Sequence, residues 1–285
     1  MTSQHAAISV KGLRKSYAGK DAVAGLDLEV AKGEIFAILG PNGAGKTTTV
    51  EILEGYRKRD SGEVLVLGED PENPHSGELH WRNRIGIVLQ SVNDAGDLSV
   101  SETLHHYAHY YSHAKDPDSV IGLVGLSEKK DAKIATLSGG QRRRLDVALG
   151  IIGSPEILFL DEPTTGFDPE ARRAFWELIR TLRDEGTTIL LTTHYLDEAE
   201  ALADRVAVIN KGVVIEVASP ELLGGRATAS ATVSWSEGGI SRSEETDSPT
   251  HFVQDLATRF KGEIPDLAIS RPSLEDIYLR MIGEA

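Results

Sequence analysis

A glycine-rich run that ends in a lysine and two threonines is the first feature of the sequence that points to chemistry. It follows the apolar segment 35–39 and reads Gly40-Pro41-Asn42-Gly43-Ala44-Gly45-Lys46-Thr47, with Thr48 next. The spacing matches G-x-x-x-x-G-K-[ST], in which glycines let backbone amides turn inward around phosphate oxygens. In such a loop the lysine reaches the β- and γ-phosphates and the hydroxyl after it ligates Mg²⁺. The pattern therefore predicts a site for a nucleoside triphosphate with Mg²⁺.

Two adjacent carboxylates end a second apolar run, residues 157–160. Successive side chains of a strand leave in opposite directions, so Asp161 and Glu162 are suited to different tasks. Asp161 is suited to holding Mg²⁺, and Glu162 to polarising a water molecule that attacks the γ-phosphate. Two solvated acids at a strand end are the plainer interpretation, which the phosphate loop upstream makes unlikely.

The elements that must position these groups follow an alternating pattern. Short apolar runs at 157–160 and 187–191 are separated by a helical segment from 169 to 185. Such alternation predicts an α/β fold with a mostly parallel sheet and helices on its faces. Residues 8–70 read as short strands, and 98–150 as helical. We expect a domain from 1 to 224, with a helical subdomain at about 91–150, and a small C-terminal appendage from 225 to 285. Residues 224–250 are either a linker or a β-rich element.

Composition restricts the function further. The chain has 285 residues, a formal net charge of −14 and no cysteine. The acidity argues against binding nucleic acid mainly through phosphate neutralisation, and no nucleic-acid partner is expected. The lack of cysteine excludes disulfides, zinc–thiolate sites and iron–sulfur clusters. Neither a secretory signal nor an apolar run of membrane-spanning length is visible, so work at a membrane would require another chain.

A pentapeptide between the phosphate loop and the two adjacent carboxylates identifies a family. It reads Leu137-Ser138-Gly139-Gly140-Gln141. At this point the sequence resembles the ATP-binding-cassette superfamily, whose signature this is. An ordinary helix cap would explain Ser138 but not the two glycines, because glycine costs about 1 kcal/mol in a helix. The resemblance implies a cassette with an N-terminal antiparallel β subdomain, a helical signature subdomain, ATP and Mg²⁺.

Other positions match the family one by one. Tyr17 resembles the aromatic that stacks on adenine, although a core or surface tyrosine is an alternative. Gln90 resembles the glutamine that contacts Mg²⁺ and the attacking water. His194 resembles the switch histidine that contacts the γ-phosphate and orients the catalytic carboxylate. Asp168 resembles the aspartate of the loop that communicates between sites, where Phe167 departs from the more usual leucine.

The resemblance also implies partners. One cassette supplies half of each composite site, so we expect a second copy, with ATP between Lys46 and Thr47 of one chain and Ser138 and Gly140 of the other. Residues 271–279 resemble the tail of bacterial multidrug and daunorubicin-resistance exporter ATPases. This implies a separately encoded polytopic permease and a location at the cytoplasmic face of the cell membrane. The alternatives are a cassette ATPase that acts on ribosomes or DNA, and a phosphate-loop kinase.

Two further clusters have plainer interpretations. His105, His106, His109 and His113 recur on a predicted helix, where a metal site is the alternative to a half-solvated face. The three arginines at 142–144 could contact nucleic acid or acidic lipid, but a solvated helix face is favoured.

Overall fold

The structure is a computed structural model that describes residues 6–88 and 97–284. The chain divides into two compact units, Met1–Val217 and Ala218–Ala285. The predicted domain boundary at 224/225 stays a prediction. None of the helices in the described ranges is long and apolar enough to cross a membrane.

Strands and helices alternate through the first unit. In chain order, the strands are β1 (Ala6–Tyr17), β2 (Lys20–Ala31), β3 (Ile35–Leu39), β4 (Ser61–Val66), β5 (Ile85–Val88), β6 (Ile157–Asp161), β7 (Thr188–Thr193), β8 (Arg205–Asn210) and β9 (Val213–Ala218). The helices are α1 (Lys46–Leu53), α2 (Glu78–Arg82), α3 (Val100–Ala108), α4 (Pro117–Leu123), α5 (Gly139–Ile151), α6 (Pro169–Asp184) and α7 (Leu196–Leu202).

The main sheet places the ends of three strands at one edge. Its order is β5-β6-β7-β3-β8-β9, and β3, β5, β6, β7 and β8 pair in parallel. The residues of β3 are all buried, as expected of a strand covered on both faces. Because parallel strands end at the same edge, the loops after β3, β6 and β7 lie side by side. These loops carry the phosphate loop, the two carboxylates and His194.

A separate antiparallel sheet has the order β2-β1-β4. Alternate residues of β1 face the core, among them Ile8 and Val10. The strand ends at Tyr17, which this sheet therefore places beside the phosphate loop. The predicted fold class, α/β with a mostly parallel sheet and an antiparallel β subdomain, is confirmed.

Side-chain caps fix where two helices of the segment between β5 and β6 begin. Ser99 and Glu102 form a reciprocal capping box at the start of α3, as their spacing predicts. Ser138 and Gln141 form a second one at the start of α5. The first residue of α5 is therefore Gly139, which places the signature pentapeptide at a helix N-terminus.

The second unit contains a small sheet and two helices. It comprises β10 (Ala231–Glu237), β11 (Ile240–Thr246), α8 (Pro249–Phe260), β12 (Ala268–Ser270) and α9 (Leu274–Glu284). The antiparallel sheet has the order β11-β10-β12. Val233 and Trp235 of β10 form a buried cluster with Leu256 of α8 and with Ile264. Of the two alternatives for 224–250, the β-rich element is the one that the structure contains.

Candidate active site

The phosphate loop connects β3 to α1 through a backbone that only glycine adopts readily. Gly45, the N-cap of α1, has φ of 103°, in the region that side chains disfavour. A Cβ at this position would lie 2.3 Å from the carbonyl oxygen of Ala22. Both the conformation and the close approach therefore require the glycine that the motif specifies.

Lys46, the first residue of α1, directs its ammonium group into the same loop. Its Nζ donates hydrogen bonds to the carbonyl oxygens of Gly40 at 2.7 Å and Pro41 at 3.3 Å. The residue is only 7% exposed. Burial lowers the pKa of the ammonium group, and the negative charges of Glu162 and Asp161 act in the opposite direction. The loop thus holds the Lys46 ammonium group close to two carboxylates, where it can donate hydrogen bonds to phosphate oxygens.

A pocket of about 430 Å³ opens over this loop. Its lining contains Glu162, Ala22 and seven of the predicted nucleotide contacts, namely Tyr17, Asn42, Gly43, Gly45, Lys46, Thr47 and Thr48. The ring of Tyr17 is 40% exposed and thus offers a surface on which a nucleobase can stack. The pocket joins an aromatic wall to a phosphate cradle, which is the shape that a nucleotide requires.

Thr192, near the end of β7, connects the Asp161 carboxylate to the backbone of Glu162. It is fully buried, and β6 and β7 pair so that it stands opposite Asp161. Its hydroxyl donates a hydrogen bond to Asp161 Oδ1. The same hydroxyl oxygen accepts a hydrogen bond from the backbone N–H of Glu162 at 3.2 Å. No local pattern in the sequence marks Thr192 for this role, although the parallel strand order implies that the two strand ends meet.

The backbone at Glu162 is strained. Its φ is 44°, a left-handed conformation that costs a non-glycine residue about 1–3 kcal/mol. A residue that precedes a proline is normally extended, and Pro163 follows directly. This turn sends the Glu162 side chain into the pocket, while Asp161 stays at the strand end. Strain of this kind is typical of functional sites.

His194 faces Glu162, as the sequence predicts. Its Nδ1 lies 3.1 Å from Glu162 Oε1, within hydrogen-bonding distance. The imidazole also packs on the ring of Tyr195, with ring centres 4.1 Å apart. The histidine and the glutamate come from the loops after β7 and β6, so the parallel sheet brings them together.

The oxygen donors present at this edge suit magnesium. Mg²⁺ prefers hydroxyl and carboxylate oxygens together with phosphate oxygens and water. Thr47 is exposed in the pocket lining, and the Asp161 carboxylate stands at the end of β6. Gln90, the other predicted magnesium ligand and a predicted catalytic residue, lies outside the described residues.

The signature segment forms an open helix terminus. Ser138 Oγ accepts from the N–H of Gln141 at 3.3 Å, and Gln141 Oε1 accepts from the N–H of Ser138 at 3.0 Å. Because this cap uses the hydroxyl as an acceptor, its proton remains available to donate. Ser138 and Gly139 are exposed, and Gly140 is partly exposed. Among the described residues, none of these belongs to the lining of the phosphate-loop pocket.

Asp168 has a structural contact within its own chain. Its carboxylate accepts a hydrogen bond from the N–H of Ala171 at 2.8 Å and so caps α6. Phe167, the departure from the family pattern, is buried and packs edge-on against Phe175, with ring centres 5.8 Å apart. The larger side chain is therefore accommodated against α6.

The histidine cluster does not form the expected continuous helix. α3 ends at Ala108, so His109 caps it and His113 lies beyond it. The Nδ1 atoms of His105 and His109 lie 2.9 Å and 2.6 Å from the backbone oxygens of Ser101 and His105. Within the described ranges, no group of three or more acidic or histidine side chains is arranged to hold a metal.

Arg143 contradicts the prediction of a solvated arginine face. It is 8% exposed, whereas Arg142 and Arg144 are partly exposed. Burial lowers the pKa of its guanidinium, and Asp146, followed by other acids, acts in the opposite direction. Consecutive arginines on a helix point 100° apart, so one of three faces inward, and no signal in the triplet shows which one.

Two buried carboxyl groups near the site were also missed. Burial raises the pKa of Glu54 to about 8, and repulsion from Asp161 and Glu51 adds to the effect. Burial likewise raises the pKa of Glu198, against the stabilising effect of Thr193 and other polar neighbours. Glu54 is the C-cap of α1 and Glu198 lies within α7, and no local pattern in the sequence marks either side chain as buried.

A phosphate loop after β3, two carboxylates at the end of β6 and an interacting histidine after β7 define a phosphate-loop nucleoside triphosphatase. Comparison with known proteins gives the family. The sequence profile described as ABC transporter matches residues 23–165. The chain belongs to the ABC transporter family, as the ATP-binding and ATP-hydrolysing component.

The similar proteins are components of exporters. The chain is 43% identical to Nod factor export ATP-binding protein I from Ralstonia nicotianae, over 76% of this chain and 68% of that protein. It is 38% identical to the daunorubicin/doxorubicin resistance ATP-binding protein DrrA of Streptomyces peucetius, over 97% of this chain and 92% of that protein. The exporter-type ATPase expected from the sequence is therefore confirmed.

Solved structures agree on the fold. CbiO1 from Clostridium perfringens, part of the ABC transporter complex cbiONQ, has a TM-score of 0.70 and 30% identity, and covers 76% of this chain and 90% of that one. A dimeric bacterial ABC transporter cassette has a TM-score of 0.66 and 25% identity, and covers 74% of this chain and 98% of that one. Each match covers about three quarters of this chain.

Proposed function

We propose that this ATPase works as a homodimer with two composite sites. Each site combines the phosphate loop of one copy with the signature segment of the other, and the cycle drives export through a separately encoded polytopic permease at the cytoplasmic face of the cell membrane. The dimeric cassette reported above supports the first part, and the transporter complex that contains cbiO1 supports the second.

The observation that carries the proposal is the contrast between the phosphate loop and the signature segment, residues 137–141. Lys46 and Glu162 share one pocket. Ser138 stands exposed at the start of α5, outside the lining of that pocket. The helix N-terminus and its amides suit an anion, and a second copy supplies one, held on its own Lys46.

Each side chain then has a defined task. Tyr17 stacks on the adenine, and Lys46 binds the β- and γ-phosphates. Glu162 accepts a hydrogen bond from the attacking water, while His194 holds the carboxylate in place through the 3.1 Å contact. Magnesium, held by Thr47, Asp161 and Gln90, neutralises charge on the phosphates when bound. The chemistry is mainly positioning and charge stabilisation.

The partner copy completes the site. Ser138 donates its hydroxyl proton, and the amides of Gly139 and Gly140 approach the γ-phosphate, with Gln141 holding the cap. Asp168 lies in the loop that connects the two sites. No side chain of this set forms a covalent bond to the nucleotide in this scheme.

For cargo, we propose a drug, an antibiotic or another hydrophobic compound. The similarity to a daunorubicin/doxorubicin resistance protein over nearly the whole chain supports this class. Co-purification with a polytopic membrane protein is expected. Co-purification with ribosomes or DNA would instead favour the alternative function.

Replacement of Glu162 by glutamine tests the catalytic assignment. We expect kcat to fall about 10²–10³-fold, as for loss of one stabilising group in a preorganised site, with ATP affinity nearly unchanged. The measurements are steady-state ATPase activity, calorimetric ATP affinity, and dimer content with ATP, which should rise. The matched control is Glu63→Gln on the exposed surface of β4. Near-normal turnover in Glu162→Gln would remove Glu162 from this role.

A further inference from the structure

Arg143 reaches from the signature helix to the turn that carries Glu162. Its Nε donates a hydrogen bond to the carbonyl oxygen of Pro163 at 3.0 Å. Its Nη2 donates to the carbonyl oxygen of Asp161 at 2.9 Å. These carbonyl groups belong to the residues immediately before and after Glu162, so one guanidinium holds the turn on both sides of Glu162.

The turn needs such support. Glu162 has a left-handed backbone directly before a proline, a combination that persists only where its surroundings determine it. The N–H of Glu162 donates hydrogen bonds to two oxygens of Thr192 on β7. These are its carbonyl oxygen, 3.1 Å away, and its hydroxyl oxygen. From α5, Arg143 holds the two carbonyls. A planar guanidinium presents several N–H donors in fixed directions, which a single ammonium group cannot reproduce.

We propose that Arg143 is a positioning residue for Glu162 and couples the signature helix to the catalytic carboxylate. Ser138 caps the same helix five residues earlier, so contact of the signature with nucleotide and the alignment of Glu162 depend on one rigid element. The inference rests on the proposed function, in which Glu162 aligns the attacking water. In this scheme Arg143 does not contact the nucleotide and affects hydrolysis only by positioning Glu162.

A purely structural arginine makes a different prediction. Arg143 is buried near Asp146, which lies one turn along the same helix. If charge compensation of Asp146 were its only task, its loss would lower the amount of folded protein and leave turnover per folded molecule unchanged. The two roles therefore separate when kcat is expressed per ATP-binding site.

The experiment compares three variants of the full chain. Arg143→Met removes all donors at similar length, and Arg143→Lys keeps the positive charge near Asp146. Arg180→Met is the matched control, since Arg180 donates to the backbone oxygen of Ala201 at 2.7 Å on another part of the cassette. Steady-state ATPase gives kcat and KM, and calorimetric stoichiometry gives the competent fraction.

We expect Arg143→Met to lower kcat per competent site about 10–100-fold, the loss that follows a misplacement of about 1 Å, with KM within about threefold. Arg143→Lys should recover part of the loss, and Arg180→Met should stay within about twofold of the parent. If Arg143→Met fails to fold, Arg143→Lys carries the test with an expected loss of about 3–10-fold. Unchanged kcat per competent site in the folded variants would overturn the inference.

A double-mutant cycle with Glu162→Gln shows whether Arg143 acts through Glu162. Once the carboxylate is gone, Arg143→Met should lower the residual activity by less than about threefold. An equal loss in both backgrounds would overturn the proposal while leaving the role of Glu162 intact. If instead Glu162→Gln alone kept near-normal turnover, the proposed function would fail, whatever the effect of Arg143.

Discussion

The two phosphate-directed segments of the cassette use glycine for opposite reasons. In the phosphate loop, Gly45 has positive φ, and a Cβ would meet a backbone oxygen at 2.3 Å. In the signature, Gly140 is helical, and a Cβ there would meet nothing within 4 Å. The first glycine lets the chain close on itself, whereas the second keeps a helix terminus clear. The phosphate loop is therefore packed closely against its own chain, whereas the signature segment leaves the N-terminus of α5 open.

The segments also differ in charge. The phosphate loop buries Lys46 near the negative charges of Glu162 and Asp161. At the signature, the residues that face outward are neutral, and the nearby Arg143 is turned inward to the Glu162 turn. Affinity for nucleotide should therefore reside in the loop, and turnover should depend on both segments.

The largest expected effect comes from a negative charge on the signature. Gly140→Asp should lower ATPase activity about 10²–10³-fold, because a carboxylate repels the γ-phosphate where amides would stabilise it. An acidic residue in the first turn is favourable for the helix itself, and the space for it is open. The ATP affinity and melting temperature of the isolated chain should be nearly unchanged, as measured by calorimetry and thermal unfolding.

Gly262→Asp is the control for this change, because Gly262 also has open space around it. A mixture of Gly140→Asp and Lys46→Ala chains should regain activity, since a mixed dimer contains one intact composite site. Loss of ATP binding by Gly140→Asp, or no recovery in the mixture, would contradict the separation of the two segments.

The second effect concerns the buried acid at the C-terminal end of α1. Glu54 follows α1 and has its pKa raised to about 8 from an ordinary 4.5, so the folded state retains a proton that the unfolded state has released. Stability should therefore fall as the pH rises from 4.5 through 8. Relative to Glu54→Gln, the wild type should lose about 3 kcal/mol of unfolding free energy between pH 5 and pH 8.

Denaturant unfolding without nucleotide or magnesium measures this difference. Glu63→Gln on exposed β4 serves as the control and should follow the wild type. Parallel stability profiles for Glu54→Gln and wild type would show that Glu54 is ionised in the folded protein near neutral pH.

The smallest expected effect is on affinity. Lys46→Ala should weaken ATP binding about 10–100-fold, the equivalent of one charge-assisted hydrogen bond of about 1.5–3 kcal/mol. Calorimetry gives the affinity directly. The control is Lys211→Ala, which changes an exposed lysine in the turn between β8 and β9. ATP affinity equal to that of the wild type would break the assignment of binding to the loop.

Much of the site was predictable from local patterns. The phosphate loop, the acid pair after β6 and the capping box at Ser138 are each contiguous stretches in which spacing determines geometry. The family resemblance supplied His194 and its pairing with the Glu162 carboxylate, which the acid pair had already marked. The structure gives their separation.

Other contacts depend on distant segments. Thr192 lies just after the apolar run 187–191, and its link to Asp161 follows from the order of β6 and β7 in the sheet. Arg143 read as one of three solvated arginines, but the packing of α5 turns it toward Asp161 and Pro163. Neither contact has a sequence signature, because each joins residues at least 18 positions apart.

By itself, the sequence determined where a phosphate can be held and by which backbone, because a loop's conformation follows from its own glycines and the helix after it. Only the tertiary structure decided how the Glu162 carboxylate is aimed. Its strained backbone is set by a threonine from one strand and an arginine from one helix, and burial fixes those partners through packing that no local pattern records.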